Sequence, residues 1–304
     1  MNRFIHRSSL LDFSRSANTN LVSLSSLLAS GKHIRYIYRI ITNEQTVPLK
    51  RRYNLSVSRI PKEKVERLVI TSPHDQYKNV MRASKNKPKK VDLRNKFPPP
   101  FQQGELGSCT ANAICGVIAY DNPKFFGSRL FLYYNERLLE NTIQEDAGAM
   151  LTDGIDTLKK HGICDEKDWK YDVSKFAVKP PEKCYQDALS HQALCVKNIE
   201  NNITDMKNAL SQGYPFVVGI TIFESFEGDE VARTGMVSMP GTDEECYGGH
   251  AVVCVGYDDD KKLWIMRNSW GAGWGDKGYF YLPYDYLLSD DLATDLWCIT
   301  KMEK

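Results

Sequence analysis

The change of hydrophobic pattern near residue 210 is the feature of this sequence that most constrains its fold. Residues 108–170 carry apolar side chains at the three- and four-residue spacing of helices, as in "RLFLYYNERLLEN". After residue 210 the pattern becomes that of strands, in "PFVVGITI", "HAVVCVGYD", "KLWIMRNSW" and "GYFYLPYD", each bounded by Gly, Asp or Pro. Helices first and strands second predict an α+β protein of two lobes, with a ligand site in the cleft between them.

Two of the predicted helices have well-marked positions. Ala111, Ile114, Val117 and Ile118 lie three or four residues apart and define one apolar helix face. The segment "TDGIDTLKKHG" has the same helical spacing of apolar residues and ends at Gly162, a residue type that often closes a helix.

A composition break separates an amino-terminal segment from this body. It lies in "RASKNKPKKVDLRNKFPPPF", residues 82–101, whose Lys/Pro run is predicted to be extended, exposed and easily cleaved. We place the segment at residues 1–90 and the body at 91–304. Within the body, the helical lobe is predicted at about 91–205 and the β-rich lobe at about 206–304.

The amino-terminal segment has little core of its own. Apolar and polar residues alternate in 33–41, "HIRYIYRII", which predicts a strand. Residues 61–70 predict a short helix. A weak apolar patch before residue 31 is interrupted by serines and gives poor support for a secretory signal. No stretch of the chain has the roughly 18–20 apolar residues of a membrane span. The compartment is left open between the cytoplasm and an acidic vesicle.

The net charge of +2 hides an asymmetry between the two parts. Residues 1–90 hold 19 Lys or Arg against 5 Asp or Glu, a net of +14, whereas the body holds 21 basic and 33 acidic residues, a net of −12. A basic arm binds nucleic acid or an anionic membrane in some proteins. Here the basic residues are spread out with few aromatic neighbours, which favours neutralisation of the acidic body and leaves nucleic acid as the less favoured partner.

The cysteines argue against a disulfide scaffold and against a metal site. There are eight, at 109, 115, 164, 184, 195, 246, 254 and 298, and none forms a C-x-x-C pair. We therefore expect no metal or cofactor and mostly reduced thiols. Cys109 begins a predicted helix, whose amino-terminal end favours a thiolate, although a lone cysteine there is more often a core residue.

Two later motifs change the interpretation of Cys109. His250 follows two glycines at the start of a strand in "CYGGHAVVCVGYDDD", and Asn268 ends the next strand in "LWIMRNSWGAGWGDKGYF". His250 lies 141 residues after Cys109, and Asn268 lies 18 residues further on. A cysteine, a histidine that moves a proton, and an amide that orients this histidine are the parts of a thiol nucleophile.

At "QGELGSC", "GGHAVVCVGY" and "RNSWGAGWGDKGYF" the sequence resembles the papain-like cysteine proteases, a family that includes the cathepsins. The resemblance covers about residues 91–304, with "VDLR" similar to the start of a mature enzyme. It implies a two-lobed fold in which Cys109 is the nucleophile and His250 its base and acid. Asn268 would orient His250, Trp270 would shield their hydrogen bond, and Gln103 would join the Cys109 N–H as an oxyanion donor.

Three positions depart from the family pattern. Thr110 stands where the family usually has tryptophan, and Leu106 stands where it often has a disulfide cysteine. Gly249 precedes the histidine at a position that is often polar in relatives, so the pH dependence is expected to differ. None of these changes removes a reacting group.

The resemblance implies less about substrate binding. It places Asp295 near the floor of the pocket for the residue two before the scissile bond, where an acid would favour Arg or Lys; an exposed surface position is the alternative. Gly148 and Trp274 are further candidates for substrate contact. The chain has six histidines but no paired-histidine loop of the cathepsin B kind, which favours endopeptidase action.

The family also implies a role for the basic segment, since prosegments commonly block the cleft until they are cleaved. We therefore expect residues 1–90 to hold the enzyme as a latent zymogen acting on protein or peptide substrates. Two alternatives stay open: an aminopeptidase of the bleomycin hydrolase type, and a non-catalytic papain-like scaffold with a basic arm for nucleic acid or a protein partner.

Overall fold

The computed structural model describes residues 87–303, all of which belong to one compact unit, Arg52–Lys304. The strand expected at 33–41, the helix expected at 61–70 and nearly all of the expected prosegment lie outside the described residues. Of the helices in residues 87–303, none is long and apolar enough to cross a membrane.

The described residues fold into helices and strands in the predicted order. The helices are α1 (Cys109–Asp121), α2 (Arg129–Leu139), α3 (Leu151–Lys160), α4 (Glu182–Ala188), α5 (Ile203–Ser211), α6 (Asp229–Thr234) and α7 (Tyr284–Leu288). The strands are β1 (Lys90–Asp92), β2 (Ala193–Asn198), β3 (Phe216–Phe223), β4 (Cys246–Asp258), β5 (Leu263–Arg267), β6 (Tyr279–Pro283) and β7 (Ala293–Met302). The predicted α+β class is confirmed.

Antiparallel pairing joins the strands into one sheet, in the order β2-β7-β3-β4-β5-β6, with β1 on β4. The β3–β4 pair is the longest, running from Phe216 opposite Cys254 to Phe223 opposite Cys246. His250 lies opposite Ile220 in this register. The sheet therefore fixes the position of the predicted base along β4.

Strand β4 separates two hydrophobic cores. Ala251, Val253 and Val255 face the core built on α1, α2 and α3, whereas Val252 and Cys254 face the second core. Side chains alternate between the two faces of a strand, so a strand buried on both faces is apolar without interruption. This explains the continuous "HAVVCV" run.

Helix α1 lies across the sheet and is buried on nearly all sides, with all residues from Cys109 to Ala119 inaccessible to solvent. The face of this helix at Gly116 packs on the sheet, since a Cβ there would be in ordinary van der Waals contact with Arg267 Nε at 3.6 Å and a Val253 methyl at 3.8 Å. The start of α1, and with it Cys109, is thereby held against the sheet.

Both halves of the body contribute to the sheet. Strand β2, which the helical pattern did not predict, pairs with β7, and β1 pairs with β4. Pro88 and Lys89, assigned to the amino-terminal segment from composition, accept hydrogen bonds from Tyr257 Oη at 2.7 Å and from the Asp259 amide at 2.8 Å. The described part of the Lys/Pro run is thus docked on the β-rich half from residue 87 onward.

Candidate active site

Cys109 is the first residue of α1 and is fully buried. Its N-cap residue, Ser108, makes no side-chain capping bond to the helix. The free N–H groups at a helix start and the helix dipole favour negative charge there. This position lowers the free energy of a thiolate relative to a thiol.

Strand β4 brings the histidine to this helix start. The Ala251 amide donates to Cys109 Sγ at 3.3 Å, which places the sulfur beside the residue that follows His250. His250 is itself fully buried. The sheet and α1 therefore bring together the thiol and the imidazole that are 141 residues apart in the chain.

Asn268 fixes the tautomer of His250. His250 Nε2 lies 2.8 Å from Asn268 Oδ1, and the Ser269 amide donates to the same oxygen at 2.8 Å. The backbone N–H of Ser269 can only donate, so its partner on the Asn268 side chain must be the oxygen and not the nitrogen. The same oxygen therefore faces His250 Nε2. Neutral His250 therefore carries its proton on Nε2 and its lone pair on Nδ1, the nitrogen that accepts a proton.

An aromatic cluster covers the imidazole. The Trp270 ring stacks on His250 at a centroid distance of 4.9 Å, and Trp274 meets Trp270 edge-on at 5.0 Å. Phe226 packs against both tryptophans. Trp274 is only 3% exposed, so its place in the structure is beneath Trp270 in the core rather than on an open surface.

Burial of the imidazole lowers the pKa of His250 to about 4. The hydrogen bond that His250 donates to Asn268 and the negative charge of Glu227 both oppose this shift. Burial penalises a charged imidazolium most when no anion faces it, and a thiolate beside it would offset that penalty. Charged His250 is therefore favoured together with ionised Cys109, as a pair.

Gln103 is held in place by hydrogen bonds to Ser269 and Leu106. Its backbone amide donates to the Ser269 carbonyl at 2.9 Å, and Ser269 Oγ donates to Gln103 Oε1 at 2.6 Å. Gln103 Nε2 donates one hydrogen to the Leu106 carbonyl at 3.0 Å. An amide nitrogen has two hydrogens, so a second donor exists at a fixed orientation.

Hydrogen bonds hold the turn between Gln103 and Cys109 at the position where relatives often have a disulfide. The Gly107 amide donates to both carboxylate oxygens of Asp146 at 3.0 Å, and Tyr133 Oη donates to the same carboxylate at 2.5 Å. Leu106 itself is a core residue. All eight cysteines are in the described range, and none of them is in a disulfide.

Thr110 has a buried acid as its partner. Thr110 Oγ1 donates to Glu136 Oε2 at 2.8 Å, and both residues are inaccessible to solvent. Burial raises the pKa of Glu136 well above its ordinary value, which favours the neutral form of this acid. No sequence motif would have identified Thr110, Glu136 or Asp146 as parts of the site. Ser269, in contrast, directly follows Asn268 and could have been identified by its position.

The residues proposed for substrate contact lie on two segments. In the register of β3 with β7, Gly219 is opposite Thr294, the neighbour of Asp295, and a Cβ on Gly219 would lie 3.9 Å from Leu151. Desolvation raises the pKa of Asp295, which has a positive φ of 55°. The Gly148 amide donates to Tyr133 Oη at 3.2 Å.

We expect Asn268→Ala to slow alkylation of Cys109 by iodoacetamide about 10- to 100-fold near pH 6. The substitution removes the acceptor that raises the pKa of His250, and hydrogen bonds to charged groups are worth about 1.5–3 kcal/mol. The midpoint of the alkylation–pH profile should move to higher pH.

The matched control for this change is Asn208→Ala, which removes another buried asparagine, located on α5. Its alkylation rate should match that of the unmodified chain. An Asn268→Ala chain that folds and is alkylated at the unmodified rate would contradict the assigned role.

Comparisons with known proteins agree with this geometry. Residues 87–289 match the family model described as papain family cysteine protease. The chain is 44% identical over 216 residues to a peptidase C1-like protein of Acanthamoeba polyphaga mimivirus, covering 66% of this chain and 70% of that one. It is 30% identical to cysteine proteinase 1 of Entamoeba histolytica, covering 63% of this chain and 62% of that protein, so it spans less than two thirds of that relative.

A solved structure extends the comparison to three dimensions. The crystal structure of xylellain, a cysteine protease from Xylella fastidiosa, aligns with a TM-score of 0.71 and 36% identity. The alignment covers 83% of this chain and 98% of xylellain. From the family match, these similarities and the arrangement of Cys109, His250 and Asn268, the chain belongs to the papain family of cysteine proteases.

Proposed function

We propose that this chain is a cysteine endopeptidase that hydrolyses peptide bonds through Cys109. The observation that carries the proposal is the hydrogen bond from His250 to Asn268, which leaves Nδ1 as the basic nitrogen of a histidine whose neighbour, Ala251, contacts the sulfur of Cys109 at a helix start. This arrangement supplies a nucleophile, a base and an orienting group in one buried cluster.

The proposed reaction moves one proton at each step. His250 Nδ1 takes the proton from Cys109 Sγ, and the thiolate attacks the peptide carbonyl carbon to form a C–S bond. The oxyanion is stabilised by the Cys109 N–H and the second N–H of Gln103 Nε2. The imidazolium gives its proton to the leaving amine as the C–N bond breaks. Water, deprotonated by His250, then attacks the thioester carbon. The C–S bond breaks, the acid is released, and the Cys109 thiolate is regenerated beside protonated His250.

Supporting residues have separate roles in this scheme. Trp270, stacked on His250, excludes water from the His250–Asn268 bond. For Trp274 we propose a role in supporting Trp270 rather than in contacting substrate, because it is buried. Gly148 remains a candidate to line the cleft, with its own amide already donated to Tyr133.

We expect Cys109→Ala to abolish hydrolysis of an amino-terminally blocked peptide and labelling by an epoxide inhibitor of papain-like enzymes, because it removes the sulfur that the Ala251 amide contacts next to His250. The control is Cys246→Ala, which removes an exposed thiol and should leave both readouts unchanged. Rates are followed by release of a fluorescent amine, and labelling is followed by mass spectrometry.

Other outcomes of this experiment separate the alternatives. Cleavage that requires a free amino terminus on the peptide would indicate an aminopeptidase. A chain that neither cleaves peptides nor reacts with the epoxide, before and after proteolytic removal of its amino-terminal segment, would overturn the proposed function and favour a binding scaffold.

We further propose that Asp295 selects for Arg or Lys two residues before the scissile bond. Support comes from its position beside Thr294, opposite Gly219, and from the desolvation that raises its pKa. A carboxylate removed from water gains most from a cationic partner in the same pocket.

Asp295→Asn should reduce kcat/KM for a substrate with Arg at this position about 10-fold or more, with little effect on one with Leu. The reason is that loss of the carboxylate removes the opposite charge from the cation. The control is Asp285→Asn, which changes an exposed aspartate of α7 and should alter neither rate. Equal loss for both substrates would argue against a specificity role.

We also propose that the basic segment, residues 1–90, keeps the enzyme latent. Its net charge of +14 is complementary to the −12 of the body.

Limited trypsin cleavage within residues 1–86, followed by a serine-protease inhibitor, should raise peptidase activity at pH 7. The gain should shrink as the pH falls toward about 4, because carboxylates of ordinary pKa become protonated there and the attraction weakens. The Cys109→Ala chain treated in the same way should stay inactive. Equal activity of intact and clipped chains between pH 5 and 7 would refute latency.

A further inference from the structure

A single tyrosine hydroxyl connects the two segments that carry the proposed oxyanion donors. Tyr171 Oη donates to the Gln103 carbonyl at 2.8 Å and lies 2.5 Å from Ser108 Oγ. Since the tyrosine proton is used on the carbonyl, Ser108 donates to the tyrosine oxygen. Gln103 carries one proposed donor, and Ser108 immediately precedes Cys109, which carries the other.

This tyrosine is itself held in place by a buried cation. Arg129 lies over the Tyr171 ring at 4.0 Å and over the Phe101 ring at 4.6 Å. Its guanidinium forms an ion pair with Glu166 at 2.6 Å. A ring stacked on an ion-paired guanidinium has little freedom to rotate or withdraw.

The same arginine supports both segments that the tyrosine connects. Arg129 Nη1 donates to Asn112 Oδ1 at 3.1 Å and to the Gln102 carbonyl at 3.4 Å. Asn112 Nδ2 in turn donates to the Ser108 carbonyl at 2.9 Å and to Ser108 Oγ at 3.0 Å. The hydroxyl of Tyr171 thus closes a ring of hydrogen bonds around the segment 102–108 and the start of α1.

The hydroxyl remains a donor across the working pH range. Burial raises the pKa of Tyr171, against the opposing effects of Ser108, Asn112 and the charge of Arg129. The acid that faces Arg129 is Glu166, and Asp146 adds a weaker negative charge. The bond to the Gln103 carbonyl is therefore independent of pH.

We propose that Tyr171 is a positioning residue of the peptidase reaction, whose hydroxyl sets the separation of the two oxyanion donors, Gln103 Nε2 and the Cys109 amide. The inference rests on the proposed function. It assigns Tyr171 no contact with the substrate or the sulfur. Electrostatic stabilisation of an oxyanion depends on donors that are already oriented before charge develops.

The test compares Tyr171→Phe with Tyr120→Phe in the full chain after trypsin clipping. Both substitutions delete only a hydroxyl that donates to a backbone carbonyl, and Tyr120 Oη donates to Gly213 at 2.8 Å at the far end of α1. Tyr171→Phe should lower kcat about 10-fold with KM within about 2-fold, because the hydrogen bonds that hold the two donor segments together are lost while the substrate contacts stay. Tyr120→Phe should keep the unmodified kcat.

Alkylation of Cys109 by iodoacetamide distinguishes positioning of the oxyanion donors from general damage. Alkylation needs the thiolate but forms no oxyanion, so its rate and pH profile should be unchanged in Tyr171→Phe. Ser108→Ala should give a smaller loss of kcat, and the double variant should lose less than the two effects combined, because both changes break the same link.

Two results would overturn the role of Tyr171. One is an unchanged kcat in Tyr171→Phe; the other is a fall in alkylation rate equal to the fall in kcat, which would indicate disturbance of the Cys109–His250 pair. An unmodified chain that is alkylated at Cys109 but cleaves no peptide would instead overturn the proposed function, and the role of Tyr171 with it.

Discussion

The antiparallel pairing of β3 with β4 is the interaction on which the rest of the structure depends. It runs over eight residues of β3, and β4 is buried between two cores. A shift of β4 by one residue would turn the side chains of each face toward the other core, so the register is fixed. In this register Ala251 reaches the sulfur of Cys109 and His250 reaches Asn268. The chemistry is thus a consequence of register, since a displaced β4 would point the imidazole away from α1.

Within the site, each polar group restricts the next. Ser269 is the clearest case. Its backbone amide donates to the side-chain oxygen of Asn268, and its hydroxyl donates to the side-chain oxygen of Gln103. One residue therefore orients both the base and an oxyanion donor. In a buried site such chains of hydrogen bonds are stronger than in water, because little solvent competes for them.

The sequence predicted the α+β class and most helices and strands, because these features depend on local pattern, and its motifs made Cys109, His250 and Asn268 the catalytic candidates. It did not predict β2, whose residues are half exposed and follow a helical stretch without a strand-like alternation. Nor did it identify Tyr171, which is 68 residues from Gln103 in the chain. Contacts of this kind join ordinary residue types over long separations, so no spacing rule reveals them.

Thr110 and Glu136 show how the departure from the family's tryptophan is accommodated. An ionised Glu136 would oppose a thiolate at Cys109, and that mutual repulsion is among the causes that raise the pKa of Glu136. Because burial raises the pKa of this acid and so favours its neutral form, the Thr110–Glu136 hydrogen bond satisfies a polar pair next to the nucleophile with little added negative charge. A carboxylate in that place would raise the free energy of the thiolate, whereas a carboxylic acid leaves the stabilisation by the start of α1 intact.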